Sequence, residues 1–319
     1  MAEKGRFAPS PSGRMHLGNL FSCLLAWLDA RAAGGRVLLR IEDLDRGRCR
    51  EEHARQAAED LRWLGLDWDE GYEAGGGEGP YLQSRRTELY EAAFQRLREA
   101  GLVYPCWCSR SQRLAASAPH LGEHRDKGAC PCRAFTEEER GLHASQRPPA
   151  WKAAVPHRSV AFTDLFQGPQ SFDLAEDCGD FVVRRSDGIF GYQLAVTVDD
   201  ALMGVTRVVR GRDLLDSAAR QIWLMESLGF PPPRYGHVPL LLSADGRRLS
   251  KRDRDLDVGL LRAEKRPEEV VGWLGTMAGL CPPGTACTAA ELLPAFRTHE
   301  LPQTDIYVPR MGGYGEMMP

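Results

Sequence analysis

The sequence lacks any hydrophobic run long enough to cross a bilayer, and its first ten residues contain no apolar signal region. We therefore expect a cytoplasmic protein rather than a membrane or secreted one. It also lacks a basic excess, because 41 lysines and arginines face 44 aspartates and glutamates, for a net charge of −3. A nucleic acid would have to be bound by local basic patches rather than by a global positive field.

The composition excludes further classes of protein. Of the 319 residues, 43% are hydrophobic and 27% are charged, which is typical of a soluble enzyme with a sizeable core. A collagen-like chain, a coiled coil and a mostly disordered chain are therefore excluded. The nine cysteines are an odd number without a signal region, which argues against a disulfide framework.

The hydrophobic pattern predicts an α/β protein. A short strand at 6–8 precedes a helix that starts near Gly18, and a buried strand at 36–41 precedes a helix at 51–64. This alternation predicts a parallel sheet with helices on its faces. Further helices are predicted at 87–100, 216–228 and 267–278, further strands at 181–184, 192–198, 207–210 and 238–242, and an irregular insertion at 101–155.

Two segments suggest phosphate binding. His16 and Gly18 lie where a strand leads into a helix, and the free N–H groups and positive end of a helix N-terminus suit phosphate. The basic loop at 246–254 follows an apolar strand, and its cations could neutralise charge on transferring phosphates. Taken alone, His16 could be a structural histidine and the basic loop a solvated turn. The two segments together, in this order along the chain, indicate phosphate binding more specifically than either one does.

The motifs resemble those of class I aminoacyl-tRNA synthetases, in the glutamyl and glutaminyl form. RFAPSPSGRMHLGN resembles the first class signature and RLSKR the second, although Asn19 stands where the common pattern has histidine. Supporting segments are RIEDLDRGRC, GPYLQSRR and DGIFGYQLAVTVDDALMGVTRVVRGRDLL. The resemblance implies a Rossmann-like catalytic domain and covers residues 6 to about 255.

The short segment after Lys251 is similar to that of the glutamyl-queuosine tRNA(Asp) synthetase family, which has no anticodon-binding domain. The resemblance implies activation of L-glutamate by ATP with Mg²⁺, and transfer to queuosine in the anticodon of tRNA(Asp). Two alternatives stay open: a glutamyl- or glutaminyl-tRNA synthetase fragment that charges the tRNA 3′ end, and a non-catalytic tRNA-binding paralogue. Arg184, Arg185 and the segment around Arg252 are candidates for tRNA phosphate contacts, or else solvated surface.

The resemblance also implies the site residues. Two arginines would pair with the substrate carboxylates and Glu42 with its ammonium group, although Glu42 could instead pair with Arg40 or Arg46. The implied glutamate site comprises Arg6, Ala8, Ser10, Glu42, Tyr192 and Arg210. The implied ATP site comprises His16, Gly18, Asn19, Ser250 and Lys251, of which His16, Asn19 and Lys251 would act on the reacting phosphates.

Two Cys-x-Cys pairs predict one structural Zn²⁺ per chain, held by Cys106, Cys108, Cys130 and Cys132. The family pattern has a tyrosine that would fall at Gly128, which cannot coordinate a metal. Cys130 is the obvious substitute for this missing ligand, and His120 or His124 are the alternatives. The interpretation without a metal is that the four cysteines are free, reduced thiols.

We expect a monomer with four parts. Residues 1–100 form the first half of the catalytic domain, and 101–190 an insertion that resembles an acceptor-binding domain. Residues 191–253 form the second half with the second signature loop, and 254–319 a short helical segment.

Overall fold

The computed structural model describes residues 2–108, 130–244, 246, 247, 249 and 257–308. The helices among these residues are α1 Leu17–Ala32, α2 Glu51–Trp63, α3 Thr87–Glu99, α4 Glu137–Gln146, α5 Tyr192–Leu202, α6 Leu215–Ser227, α7 Val258–Glu264, α8 Pro267–Met277 and α9 Ala289–Leu292. The strands are β1 Lys4–Phe7, β2 Arg36–Leu39, β3 Glu70–Gly71, β4 Val103–Cys106, β5 Ala150–Ala153, β6 Ser159–Asp164, β7 Gly168–Asp173, β8 Phe181–Arg184, β9 Arg207–Gly211, β10 Arg234–Val238, β11 Leu241–Leu242 and β12 Ile306–Tyr307.

A parallel sheet organises the molecule. Strands β1, β2 and β3 pair in that order, and β9 pairs with β10, all in parallel. Strand β9 lies beside β1 in space, where the N–H of Thr206, just before β9, donates to the carbonyl oxygen of Lys4 at 2.9 Å. The predicted parallel α/β architecture is confirmed.

Helix α1 anchors the sheet to the core. Leu20, Leu24 and Leu28 recur at helical spacing and are fully buried, which places one apolar face on β1 and β9. The helix ends at Ala32, and Gly34 beyond its C-cap adopts a φ of +65°. Only glycine adopts this left-handed conformation readily, so Gly34 lets the chain leave the helix at this point.

The predicted strand at 192–198 is wrong, because these residues belong to α5. Every side chain from Tyr192 to Asp200 is buried, with α5 packed between α3 and α6. A short helix that is buried on all sides shows no polar face, so its sequence pattern is hard to distinguish from that of a buried strand. Tertiary packing, and not periodicity, selected the helix.

Two other predictions need correction. The predicted strand at 238–242 is interrupted, since β10 ends at Val238 and β11 comprises only Leu241 and Leu242. Pro239 between them has no N–H to continue a ladder. The predicted irregular insertion contains regular elements, because β4, β5 and β8 form an antiparallel sheet and α4 precedes β5.

Within the described ranges, no helix is both long and apolar enough to cross a membrane. The boundaries of the four predicted parts stay a prediction.

Candidate active site and metal centre

A cleft of about 650 Å³ opens where β1 and β9 end and α1 begins. Ligands of parallel α/β proteins bind at the carboxyl ends of the strands, and this volume suits a small molecule. The predicted residues that line it are Arg6, Ala8, Ser10, His16, Gly18, Asn19, Glu42, Tyr192 and Arg210. The structure therefore brings together all the predicted glutamate and ATP residues that it describes. Ser250 and Lys251 lie outside the described residues.

The start of α1 lines the cleft with the N–H groups of a helix N-terminus, which suit an anionic group. The Asn19 side-chain oxygen accepts from the backbone N–H of His16 at 3.0 Å, so it caps the helix and leaves its amide N–H groups as donors. A Cβ on Gly18 would stand 3.1 Å from two atoms of the His16 ring, closer than ordinary contact. Because glycine has no side chain, position 18 leaves room for the His16 imidazole in this orientation.

Arg210 is held from behind by three partners. Its Nε donates to Nε2 of His237 at 3.0 Å, Nη1 donates to the Gln221 oxygen at 2.8 Å, and Nη2 donates to the carbonyl oxygen of Leu214 at 3.2 Å. Its guanidinium carbon also lies 5.2 Å from the centre of the Tyr235 ring. A guanidinium has five N–H groups, so these bonds to described residues leave one on each terminal nitrogen for an anionic ligand.

Glu42 also lines the cleft and is buried beside Arg40. Their side chains form an ion pair at 3.1 Å, as the structural interpretation of Glu42 predicts, yet Glu42 also lines the cleft. Burial raises the pKa of Glu42, and the cations of Arg40 and Arg6 oppose this rise. A ligand ammonium group would add a further counter-charge to this carboxylate.

Arg6 and Arg40 share one buried acid. Asp200 accepts from Nη1 of Arg40 at 2.7 Å and lies 3.5 Å from Nε of Arg6. Arg6 also donates from Nη1 to the carbonyl oxygen of Val209 at 3.0 Å, which ties β1 to β9. Tyr192, at the start of α5, completes this side of the cleft, and burial raises the pKa of its hydroxyl to about 12. Tyr192 is therefore a neutral hydrogen-bonding group at physiological pH.

The four predicted cysteines lie together at the end of β4. Their sulfur atoms all lie within 4.8 Å of one another. The sulfur–sulfur distances are 3.5 Å for Cys106 and Cys130, 3.7 Å for Cys108 and Cys130, and 3.8 Å for Cys108 and Cys132. A tetrahedral site with metal–sulfur bonds of about 2.3 Å requires sulfurs about 3.8 Å apart. The donor set therefore fits a metal ion, while the alternative ligands His120 and His124 lie outside the described residues.

Sequence reasoning missed the residues behind the cleft. His237, Asp164 and Asp200 are all buried. His237 and Asp200 contact the arginines that line the cleft, and Asp164 contacts His237. One signal was available, since a histidine in the apolar segment HVPLLL and an acidic pair in the apolar segment of α5 need buried partners.

A parallel sheet with a ligand cleft at its strand ends, and a helix N-terminus beside the cleft, defines an α/β enzyme of the nucleotide-binding class. The family model described as tRNA synthetases class I (E and Q), catalytic domain, matches residues 4–286. The chain belongs to this family, and within it to the glutamyl-Q tRNA(Asp) synthetases.

The relatives support this assignment over nearly the whole chain. The chain is 53% identical over 310 residues to a glutamyl-Q tRNA(Asp) synthetase of Symbiobacterium thermophilum, covering 96% of this chain and 95% of that protein. It is 45% identical to glutamate–tRNA ligase 2 of Alkalilimnicola ehrlichii, covering 86% of this chain and 58% of that one. The crystal structure of a glutamate–tRNA synthetase from Elizabethkingia anophelis is similar with a TM-score of 0.79 at 26% identity, covering 97% of this chain and 68% of that one.

Proposed function

We propose that this enzyme activates L-glutamate with ATP and transfers the glutamyl group to queuosine in the anticodon of tRNA(Asp), in the cytoplasm. The observation that carries the proposal is one cleft lined by two arginines, Arg6 and Arg210, and by the carboxylate of Glu42, with a helix N-terminus in the same lining. Glutamate has two carboxylates and one ammonium group, so its charges are the complement of this arrangement.

Activation needs positioning rather than a protein nucleophile. A glutamate carboxylate oxygen attacks the α-phosphorus of ATP, glutamyl-adenylate forms and pyrophosphate leaves. His16, the backbone at Gly18 and the Asn19 amide would bind the phosphates at the start of α1, with Mg²⁺ accompanying the ATP. We assign Ser250 and Lys251, in the basic loop, to the same phosphates.

The second step transfers the glutamyl group. A hydroxyl of the queuosine cyclopentene-diol attacks the adenylate carbonyl, an ester forms and AMP leaves. The names of the relatives with high coverage support this acceptor. The second candidate, esterification of the tRNA 3′ end, is favoured by the similarity to glutamate–tRNA ligases.

We expect glutamate-dependent exchange of pyrophosphate into ATP without tRNA, and glutamyl transfer only to tRNA that contains queuosine. Matched tRNA(Asp) preparations with and without queuosine, incubated with radioactive glutamate, provide the measurement. Equal labelling of both preparations would favour 3′-end charging. Absence of exchange would exclude the catalytic proposal and favour the non-catalytic paralogue.

We further propose that the cysteine cluster holds one structural Zn²⁺. Two backbone N–H groups support the sulfurs, from Trp107 to Cys132 at 3.5 Å and from Cys108 to Cys106 at 3.4 Å. Four protein sulfurs leave no open position for a substrate, so the ion would stabilise the fold of this segment and take no part in the reaction.

Replacing Cys130 by alanine is expected to lower zinc well below one ion per chain and to reduce the thermal stability of the insertion, while pyrophosphate exchange continues. Elemental analysis of purified protein measures the zinc, and Cys281→Ala, outside the cluster, is the matched control. Full occupancy in the Cys130 variant would assign the fourth ligand to another residue, such as His120 or His124. A wild-type protein without zinc would refute the site.

A further inference from the structure

A buried polar chain runs behind Arg210, away from the cleft. Nε of Arg210 donates to Nε2 of His237 at 3.0 Å, and Nδ1 of His237 lies 2.6 Å from Oδ2 of Asp164. His237 is fully buried and Asp164 is 2% exposed. These contacts lie outside the cleft lining, so neither residue touches a ligand bound there.

The contacts define the protonation state of His237. The Arg210 guanidinium can only donate, so Nε2 of the ring must present a lone pair. The hydrogen of a neutral ring is then on Nδ1, where it is donated to the Asp164 carboxylate. Burial lowers the pKa of His237 and the Arg210 cation lowers it further, against the opposing effects of Asp164 and Asp213. The ring is therefore neutral, with one defined tautomer.

Asp164 is itself held in a single orientation. Its Oδ1 accepts backbone N–H groups from Phe166, Gln167 and His237, each at 3.0 Å, which leaves Oδ2 for the imidazole. Burial raises the pKa of Asp164, but its hydrogen bonds and the proximity of His237 outweigh burial and lower it overall. An ionised carboxylate has no hydrogen to donate, so it can only accept the one on Nδ1.

A second arm orients the same guanidinium. The Gln221 oxygen accepts from Nη1 of Arg210, while the Gln221 amide nitrogen donates to the Gln193 oxygen at 3.0 Å. The Gln193 amide nitrogen in turn donates to the Ser217 hydroxyl at 3.0 Å. This sequence of donors and acceptors leaves one consistent orientation for the Gln221 amide.

We propose that Asp164 and His237 are positioning residues, which fix the Arg210 guanidinium for recognition of a substrate carboxylate by selecting the Nδ1-protonated tautomer of His237. The inference rests on the proposed function for the identity of that carboxylate. The geometry of the pair itself is independent of the reaction. Because the pair acts through Arg210, its loss is expected to change the KM for glutamate more than the KM for ATP.

The sharpest test is Asp164→Asn, which keeps the shape of the side chain and an oxygen for the three backbone N–H groups. The new amide group would donate to Nδ1, so the ring hydrogen would move to Nε2 and face the N–H of Arg210. We expect the KM for glutamate in pyrophosphate exchange to rise about tenfold or more, with the KM for ATP changed less than about twofold.

The effect of Asp164→Asn is compared between the wild-type protein and a protein that carries His237→Gln. A glutamine oxygen can take the position of Nε2 as an acceptor but has no tautomer to select. Asp164→Asn is therefore expected to raise the KM for glutamate several-fold less in the His237→Gln background than in the wild type. Equal effects in both backgrounds, or equal rises in both KM values, would assign Asp164 to a structural role and overturn the proposal.

Nitrogen-15 NMR of the imidazole separates this inference from the proposed function. The wild-type His237 signal, identified by its loss in His237→Gln, is expected to show protonated Nδ1, and Asp164→Asn is expected to shift the hydrogen to Nε2. A wild-type ring protonated on Nε2 would overturn the proposal whether or not the protein activates glutamate. Absence of wild-type exchange alongside the expected NMR result would refute the proposed function alone.

Discussion

Replacing Arg210 by alanine is expected to lower kcat/KM for glutamate in pyrophosphate exchange by about a thousandfold. The variant removes the guanidinium whose two remaining N–H groups are available to a carboxylate, and it leaves a carboxylate desolvated in the cleft without that partner. The loss is expected in the KM for glutamate rather than for ATP, because the residues proposed to bind the ATP phosphates, such as His16, stand at the start of α1 and not beside Arg210 in the chain.

Steady-state exchange at varied glutamate and ATP measures this effect, and circular dichroism verifies that the variant is folded. Arg212→Ala is the control, because Arg212 is a neighbouring arginine that contacts Gln303 and Asp305 and does not line the cleft. It should change kcat/KM by less than about threefold. An Arg210 variant with near wild-type kcat/KM and an unchanged KM for glutamate would refute the assignment.

Replacing Asp199 by asparagine is expected to lower the free energy of unfolding by about 3–5 kcal/mol. This fully buried carboxylate accepts from Nε of Arg86 at 2.6 Å, from Gln83 at 2.8 Å and from the Tyr90 hydroxyl at 2.9 Å, and lies 3.7 Å from Nε of Arg40. Burial raises the pKa of Asp199, and the two arginines oppose this rise. Without its charge, both guanidiniums stay buried with less compensation.

Urea unfolding curves measure the change, and Glu226→Gln is the matched control. Glu226 pairs with Arg158 at 2.7 Å, but the two side chains are 38% and 50% exposed. Water screens such a surface pair, so its loss should cost less than about 1 kcal/mol. A loss below about 1 kcal/mol for Asp199→Asn as well would show that the buried network tolerates the missing charge.

The helix N-terminus in the cleft was predictable because its sequence signals are local. His16 and Gly18 stand at the start of a helix with a strong apolar face, so the position of the helix N-terminus follows from the pattern. The cysteine cluster was predictable for a similar reason, since Cys-x-Cys spacing keeps two sulfurs close together in the chain.

The support of the arginines was not predictable, because its contacts join distant segments. Arg40 meets Asp200 across 160 positions, and His237 meets Asp164 across 73. Neither pair leaves a periodic or spaced pattern in the sequence. The error at α5 has the same origin, since uniform burial removes the polar face that would have revealed a helical period.

By itself, the sequence determined the α/β class, the helix N-terminus at the cleft and the four clustered cysteines. These features depend on local spacing and on burial of an apolar face, which neighbouring residues specify. The other residues around the cleft were implied by the resemblance of the motifs to a known family. Only the tertiary structure decided that 192–202 is a helix, which acid compensates each buried arginine and which tautomer faces Arg210. Those outcomes depend on satisfying every buried charge and hydrogen-bonding group at once, a condition that exists only when the whole chain is packed.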